Sequence, residues 1–133
     1  MTLLYMLDTD TVSYALRGHG RVAERILEHL PSELCISVIS EAELRFGADL
    51  RKSKKLHQLI DAFLEPISVV AFDQACAVSF GKVGSKLFAK GKPIGQYDTL
   101  IAAHAVSLDV TLVTNNGAHF GHVDGLKTRN WLD

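Results

Sequence analysis

Asp8, Glu43 and Asp98 are acidic residues far apart in a chain of 133 residues, and each stands where an apolar segment ends or a helix begins. Asp8 closes the run Leu3-Leu4-Tyr5-Met6-Leu7, Glu43 lies a turn beyond Cys35-Ile36-Ser37-Val38-Ile39, and Asp98 opens Tyr97-Asp98-Thr99-Leu100-Ile101-Ala102-Ala103. In an open α/β sheet the carboxyl ends of the strands gather around one crevice, where ligands bind. Carboxylates brought together there repel one another unless a cation sits between them. Hard oxygen donors suit Mg²⁺ or Mn²⁺. The chemistry this predicts is metal-assisted: a held ion lowers the pKa of a water and stabilises charge on a phosphate during in-line displacement.

Each acid has a plain structural explanation when taken singly. Asp8 could cap a short helix, although Asp10 is the better placed cap for a helix over Thr11–Leu16, which leaves Asp8 without a structural role. Ser40-Glu41-Ala42-Glu43 matches a capping box; with Ser37 as the cap instead, Glu43 is free to face the crevice. Asp98 could complement a helix dipole. Three such acids on segments of parallel-sheet character are harder to explain as three independent caps. Asn116, just after the run Thr111-Leu112-Val113-Thr114, falls in the same crevice and could hold a water through its side-chain oxygen. His119 and His122 lack a third nitrogen or sulfur ligand nearby and read as solvent-facing, and His104 reads as a satisfied core histidine. Lys82, Lys86 and Lys90 recur every four residues and so line one helix face. By themselves they are a solvated face; beside an acidic metal site they and Lys92, with the run Arg51-Lys52-Ser53-Lys54-Lys55, become candidate contacts to a phosphate backbone.

The elements that must position these residues alternate between strand and helix. Leu3–Leu7, Leu34–Ser37, Ile67–Val70 and Thr111–Thr114 read as strands, with Leu126–Asn130 as a short edge strand. Helices are expected over Thr11–Leu16, from Val22 to Pro31, over Ser40–Leu50 and Lys54–Leu64, from an Asp73 cap to about Lys90, and over Tyr97–Leu108. Gly81 and Gly84 weaken the long one. Strand–helix alternation predicts a mainly parallel sheet in a single three-layer α/β/α domain spanning 1–133.

Composition narrows the classes. An apolar fraction of 47% with 22% charged residues belongs to a globular chain. The net charge of -1 does not announce a nucleic-acid binder, but an acidic pocket can cancel a basic rim in the sum. No basic region precedes the first apolar run, so no signal peptide is expected, and no stretch approaches the ~20 apolar residues of a membrane helix. Cys35 and Cys76, each without a neighbouring cysteine, read as buried small hydrophobes in a reducing cytoplasm.

Four blocks carry a resemblance: Tyr5-Met6-Leu7-Asp8-Thr9-Asp10; Ile36-Ser37-Val38-Ile39-Ser40-Glu41-Ala42-Glu43-Leu44-Arg45-Phe46-Gly47; Gly91-Lys92-Pro93-Ile94-Gly95-Gln96-Tyr97-Asp98-Thr99-Leu100-Ile101-Ala102; and Leu112-Val113-Thr114-Asn115-Asn116. In this order the chain resembles the PIN-domain ribonucleases, specifically the VapC toxins of bacterial VapBC toxin–antitoxin pairs. The resemblance implies a PIN-like fold with Asp8, Glu43 and Asp98 around Mg²⁺ or Mn²⁺. It implies RNA as substrate, often tRNA, a homodimer, and a small VapB-like antitoxin covering the active groove. On this reading Asp8 and Asp98 are the main ligands, Glu43 ligates or positions water, and Asn116 orients water or substrate. There are two departures from the family pattern: Asp10 stands where asparagine is usual, and Asn116 and His119 stand at the two positions of which one or the other is acidic in many members. Asp8-Thr9-Asp10-Thr11 also matches the nucleophile loop of haloacid-dehalogenase-like phosphatases, with Asp8 as nucleophile. A non-enzymatic α/β binding module, its carboxylates all caps, is the third reading.

Overall fold

In the computed structural model, which describes residues 2–133, the inner strands are apolar on both sides and their side chains alternate between two cores. The strands are β1 (Tyr5–Leu7), β2 (Leu34–Ser37), β3 (Ser68–Val70), β4 (Thr111–Val113) and β5 (Thr128–Arg129). The helices are α1 (Thr9–Leu16), α2 (Val22–Leu27), α3 (Val38–Leu50), α4 (Lys54–Leu64), α5 (Gln74–Ala89), α6 (Gln96–Leu108) and α7 (Gly117–Phe120). Met6, Cys35 and Leu112 pack with Val83 and Leu87 of α5 and with Ile101, Ala102 and Ala105 of α6. Leu7, Leu34, Ile36 and Val113 pack the other way, onto Val12 of α1, Leu44 and Ala48 of α3 and Ile60 of α4. A strand buried on both faces needs helices on both, and the result is the expected α/β/α sandwich.

All the strand pairings are parallel, in the order β3-β2-β1-β4-β5. The chain therefore winds outward from β1 through β2 to β3, then returns to the other side of β1 to lay down β4 and β5. This reversal makes the gap between β1 and β4 the topological switch point, where the connections leave in opposite directions and a crevice opens at the carboxyl ends.

Several boundaries differ from the sequence reading, for local reasons. The ladder of β1 begins at Tyr5 rather than Leu3. The second helix stops at Leu27, and the turn before β2 is a short 3-10 helix over Pro31–Glu33. The α5 helix runs unbroken through Gly81 and Gly84. A glycine costs about 1 kcal/mol in a helix interior, and burying Val83 and Leu87 against α6 offsets that at about 1.5–3 kcal/mol per side chain. Asp73 caps α5 as expected, accepting from the Cys76 amide at 3.0 Å. Cys35 and Cys76 are buried free thiols, and burial pushes the Cys35 thiol up to about 12.

His104 is fully buried on α6, with Nδ1 2.8 Å from Ser37 Oγ, so it links α6 to the start of α3. Its Nε2 makes no protein hydrogen bond among the described residues, so the residue is only half satisfied. Burial holds its pKa below the ordinary 6.5, partly opposed by the Asp73 charge. A depressed histidine pKa means that the unfolded chain binds the proton more readily, so this contribution to stability is complete above about pH 6.5 and is lost as pH falls towards the folded pKa. Urea denaturation in EDTA at pH 7.5 and 5.5 should show a steeper loss of stability on acidification for the wild type than for His104→Gln. Equal losses would contradict the assignment.

Candidate active site

Asp8 is placed by the β1–β4 ladder. Its amide donates to the Val113 carbonyl at 3.0 Å, extending the pairing one residue past Leu7. The chain then turns, and Asp8 caps α1 with Oδ1 accepting from the Thr11 amide at 2.8 Å. The helix begins at Thr9, so Asp10 lies inside its first turn and is exposed. The expectation that Asp10 caps the helix is thereby corrected: the ladder bond ends the strand at the crevice and leaves Asp8 as the first residue free to cap. Asp8 is 6% exposed. Burial raises its pKa, hydrogen bonds from Thr11 and Thr114 oppose the rise, and the neighbouring Asp10 charge adds to it.

Glu43 is freed by the choice of cap on α3. Ser37 Oγ accepts from the Ile39 amide at 3.0 Å, so the helix starts a turn earlier than a Ser40 cap would allow. Glu43 then reaches across to α1, where the Thr9 hydroxyl donates to Oε1 at 2.6 Å. Its pKa is raised first by partial burial, against the Thr9 bond, and further by the charges of Asp98, Asp10 and Asp8. Glu41 serves the packing instead, pairing with Arg45 at 3.0 Å while Arg45 reaches Asp61 at 2.6 Å, which ties α3 to α4.

Asp98 enters from the opposite side of the crevice. Gly95, at φ 93 and ψ 157, makes the turn into α6 in a region open essentially to glycine alone. This delivers Asp98 in the first turn of the helix, where Oδ2 lies 2.9 Å from His119 Nε2. His119 is thus half-buried and engaged, contrary to the expectation of a solvent-facing ring, while His122 is exposed. The reason is α7, a four-residue helix anchored by buried Phe120, which aims His119 back at α6.

The carboxylates are thus gathered around Glu43, which feels the charges of Asp98, Asp10 and Asp8, and each accepts a hydrogen bond, from the Thr11 amide to Asp8, the Thr9 hydroxyl to Glu43 and the His119 ring to Asp98. Among the described residues no three His, Cys, Asp or Glu side chains form a ready-made metal-binding group. The donor chemistry nonetheless fits a hard divalent cation, because the set is all oxygen and the neighbouring acids add to the rise that burial gives Glu43. Asn116 is exposed beside this set, its amide donating to Thr114 Oγ1 at 3.0 Å. Glu43 also lines two openings, a cavity of about 420 Å³ shared with Phe46 and Tyr97 and a cleft of about 260 Å³ reaching Arg17 and Arg51.

The lysine row lies along α5. Lys90 Nζ is 2.7 Å from Asp124 and donates to the His122 carbonyl at 2.9 Å; Lys86 is 4.0 Å from Asp124. Lys82 faces the same cavity as His122, and Lys92 is exposed in the loop leading to Asp98.

Residues 5–126 match the family model described as PIN domain. A curated relative, Ribonuclease VapC2 of Rickettsia felis, is 36% identical over 97% of this chain and 98% of its own length. The chain belongs to the PIN-domain family, among the VapC ribonucleases. The tRNA(fMet)-specific endonuclease VapC of Shigella flexneri is 31% identical over 97% of this chain and 98% of its own. The crystal structure of VapBC2 from Rickettsia felis bound to a promoter DNA fragment superposes with a TM-score of 0.85 at 36% identity, covering 97% of this chain and 99% of that one. Within this PIN frame the phosphatase reading of Asp8-Thr9-Asp10-Thr11 falls away, since the match runs through all four sequence blocks.

Raised carboxylate pKa values carry a stability cost at neutral pH: the folded state binds protons more readily than the unfolded chain, so stability falls as pH rises through the folded pKa. Asparagine at position 8 keeps the cap but removes the charge. In EDTA at pH 7.5, Asp8→Asn should be at least as stable as the wild type, whereas Asp8→Ala, which loses the cap as well as the charge, should be about 1 kcal/mol less stable than Asp8→Asn. Urea midpoints check this, and an Asp8→Asn variant less stable than the wild type would contradict it.

Proposed function

We propose that this PIN-domain protein is the toxin of a toxin–antitoxin pair, an endoribonuclease that hydrolyses phosphodiester bonds in RNA and is restrained by a cognate VapB-like antitoxin. The observation that supports the reading is that Glu43 feels the charges of Asp8, Asp10 and Asp98, which adds to the rise burial gives its pKa. The Shigella relative's name supports tRNA as the substrate class, and the VapBC2 structure supports an antitoxin partner. The toxin acts as one nuclease domain over 1–133, as a homodimer, in the cytoplasm. Two buried free thiols fit a reducing compartment, and no helix among the described residues is long and apolar enough to cross a membrane.

Asp8 and Asp98 would hold a Mg²⁺ or Mn²⁺ ion, with Glu43 as a third ligand or as the group that positions water. When bound there, such a cation would supply Lewis acidity for the water and the phosphate. Glu43, steered by the Thr9 hydroxyl, is suited to orient an attacking water and accept its proton. The Asn116 side-chain amide orients that water or the RNA without adding charge. Lys82, Lys86, Lys90 and Lys92 contact phosphates flanking the cut.

Incubating the protein with total RNA and Mg²⁺, then mapping new ends, tests the reading. The wild type should give discrete cuts that EDTA abolishes. Asp8→Ala and Asp98→Asn should each lose at least ~100-fold, since the charge stabilisation at stake is several kcal/mol and each 1.36 kcal/mol is tenfold. Equal cleavage by wild type and Asp8→Ala would sink it.

The lysines make a graded prediction for RNA binding measured against salt. Lys90 already spends its charge on Asp124. Lys82→Ala and Lys92→Ala should therefore each reduce the salt slope by about 0.7, the value for one phosphate contact on a single strand, and Lys90→Ala by less. Identical slopes in all variants would remove the lysines from the substrate path.

A further inference from the structure

Asp98 is the one member of the acidic set whose support comes from α7 and not from the Asp8–α1 segment. Asp8 is held by its own helix, through the Thr11 amide. Glu43 is held by Thr9, beside Asp8. The Asp98 side chain makes a single hydrogen bond among the described residues, to His119 Nε2 at 2.9 Å, and would otherwise be free to swing, its side chain being 42% exposed.

The same His119 nitrogen also lies 2.9 Å from the Ile94 carbonyl oxygen. A carbonyl only accepts and a carboxylate only accepts, so Nε2 must carry the hydrogen and share it between them. This makes Nε2 a donor, not a lone pair. The ring plane is set as well: it packs edge-on against Phe120 at 5.4 Å and 84°. Phe120 is 2% exposed, so the backbone under His119 is anchored in the core. A rigid donor thus clamps Asp98 to the loop that carries Ile94 and Gly95.

We propose that His119 is the positioning residue for Asp98, orienting one carboxylate oxygen so that the other faces the crevice. It does this without adding negative charge to a set already crowded by Asp10. The inference rests on the metal-dependent nuclease reading above. Outer hydrogen-bond partners of ligating groups typically change metal affinity or activity by about 10–100-fold when removed.

The test uses the full chain as wild type, His119→Ala and His119→Gln. Free Mn²⁺ is measured by electron paramagnetic resonance, and RNA cleavage is resolved into kcat and KM. His119→Ala should weaken Mn²⁺ binding by about 10–100-fold and lower kcat with little change in KM. His119→Gln, whose side-chain amide can still donate to Asp98, should recover most of both. Unchanged Mn²⁺ binding in His119→Ala, or no recovery in His119→Gln, would overturn the proposal. So would imidazole-nitrogen coupling in the spin-echo spectrum of the wild-type Mn²⁺ complex, which would make His119 a direct ligand; that measurement stands even if the alanine variant fails to fold. A wild type that neither binds Mn²⁺ nor cleaves RNA would instead sink the nuclease reading, and this inference with it.

Discussion

Like-charge repulsion is the constraint around which the structure is arranged. A fold left to maximise its own stability would not gather Asp8, Glu43 and Asp98, with Asp10 close by, in one partly buried crevice. Burial and neighbouring charge both push Glu43 upward, and burial does the same to Asp8. Such frustration persists only where the surrounding structure over-determines it. Here the two apolar cores supply the surplus: fully buried Met6, Leu7, Ile36, Leu112 and Val113 hold the strand ends, and the strand ends hold the acids. A divalent cation among the carboxylates would turn the repulsion into coordination.

Three local devices bring the acids together from three parts of the chain. The ladder bond from Asp8 to Val113 sets where β1 stops. The Ser37 cap advances α3 by a turn and releases Glu43 from a capping role. The positive-φ turn at Gly95 starts α6 where Asp98 reaches the crevice. His104 ties the last two devices together, since its contact with Ser37 spans from α6 to the residue that caps α3. The site is therefore built on element termini backed by the core, while the residues beside it, Asn116 and His119, come from a short helix and its cap, anchored by buried Phe120.

Much of this is legible in the sequence, and what is not has identifiable causes. Apolar runs such as Leu34–Ser37 and Thr111–Val113, bounded by polar residues, announce strands buried on both faces. The alternation with helices announces a parallel sheet. The placement of β1 between β2 and β4 is not written in any local pattern, because it depends on which crossover returns over which face. The choice between Asp8 and Asp10 as cap is equally out of reach: both are aspartates within two residues, and the deciding bond goes to Val113 on another strand. The engagement of His119 is hidden for the same reason. Its partner is 21 residues away, and α7 is too short to show a helical period. The signal that points to it is the family pattern itself, in which an acid often occupies that corner, so that a histidine there invites a search for a carboxylate partner.

The most direct test of a cation held among the three acids is anomalous diffraction from crystals grown with Mn²⁺. The expected result is a peak bounded by the carboxylates of Asp8 and Asp98, within reach of Glu43, and absent from Asp98→Asn crystals. No peak in the crevice, or a peak only elsewhere, such as at Asp124 and His122, would contradict it.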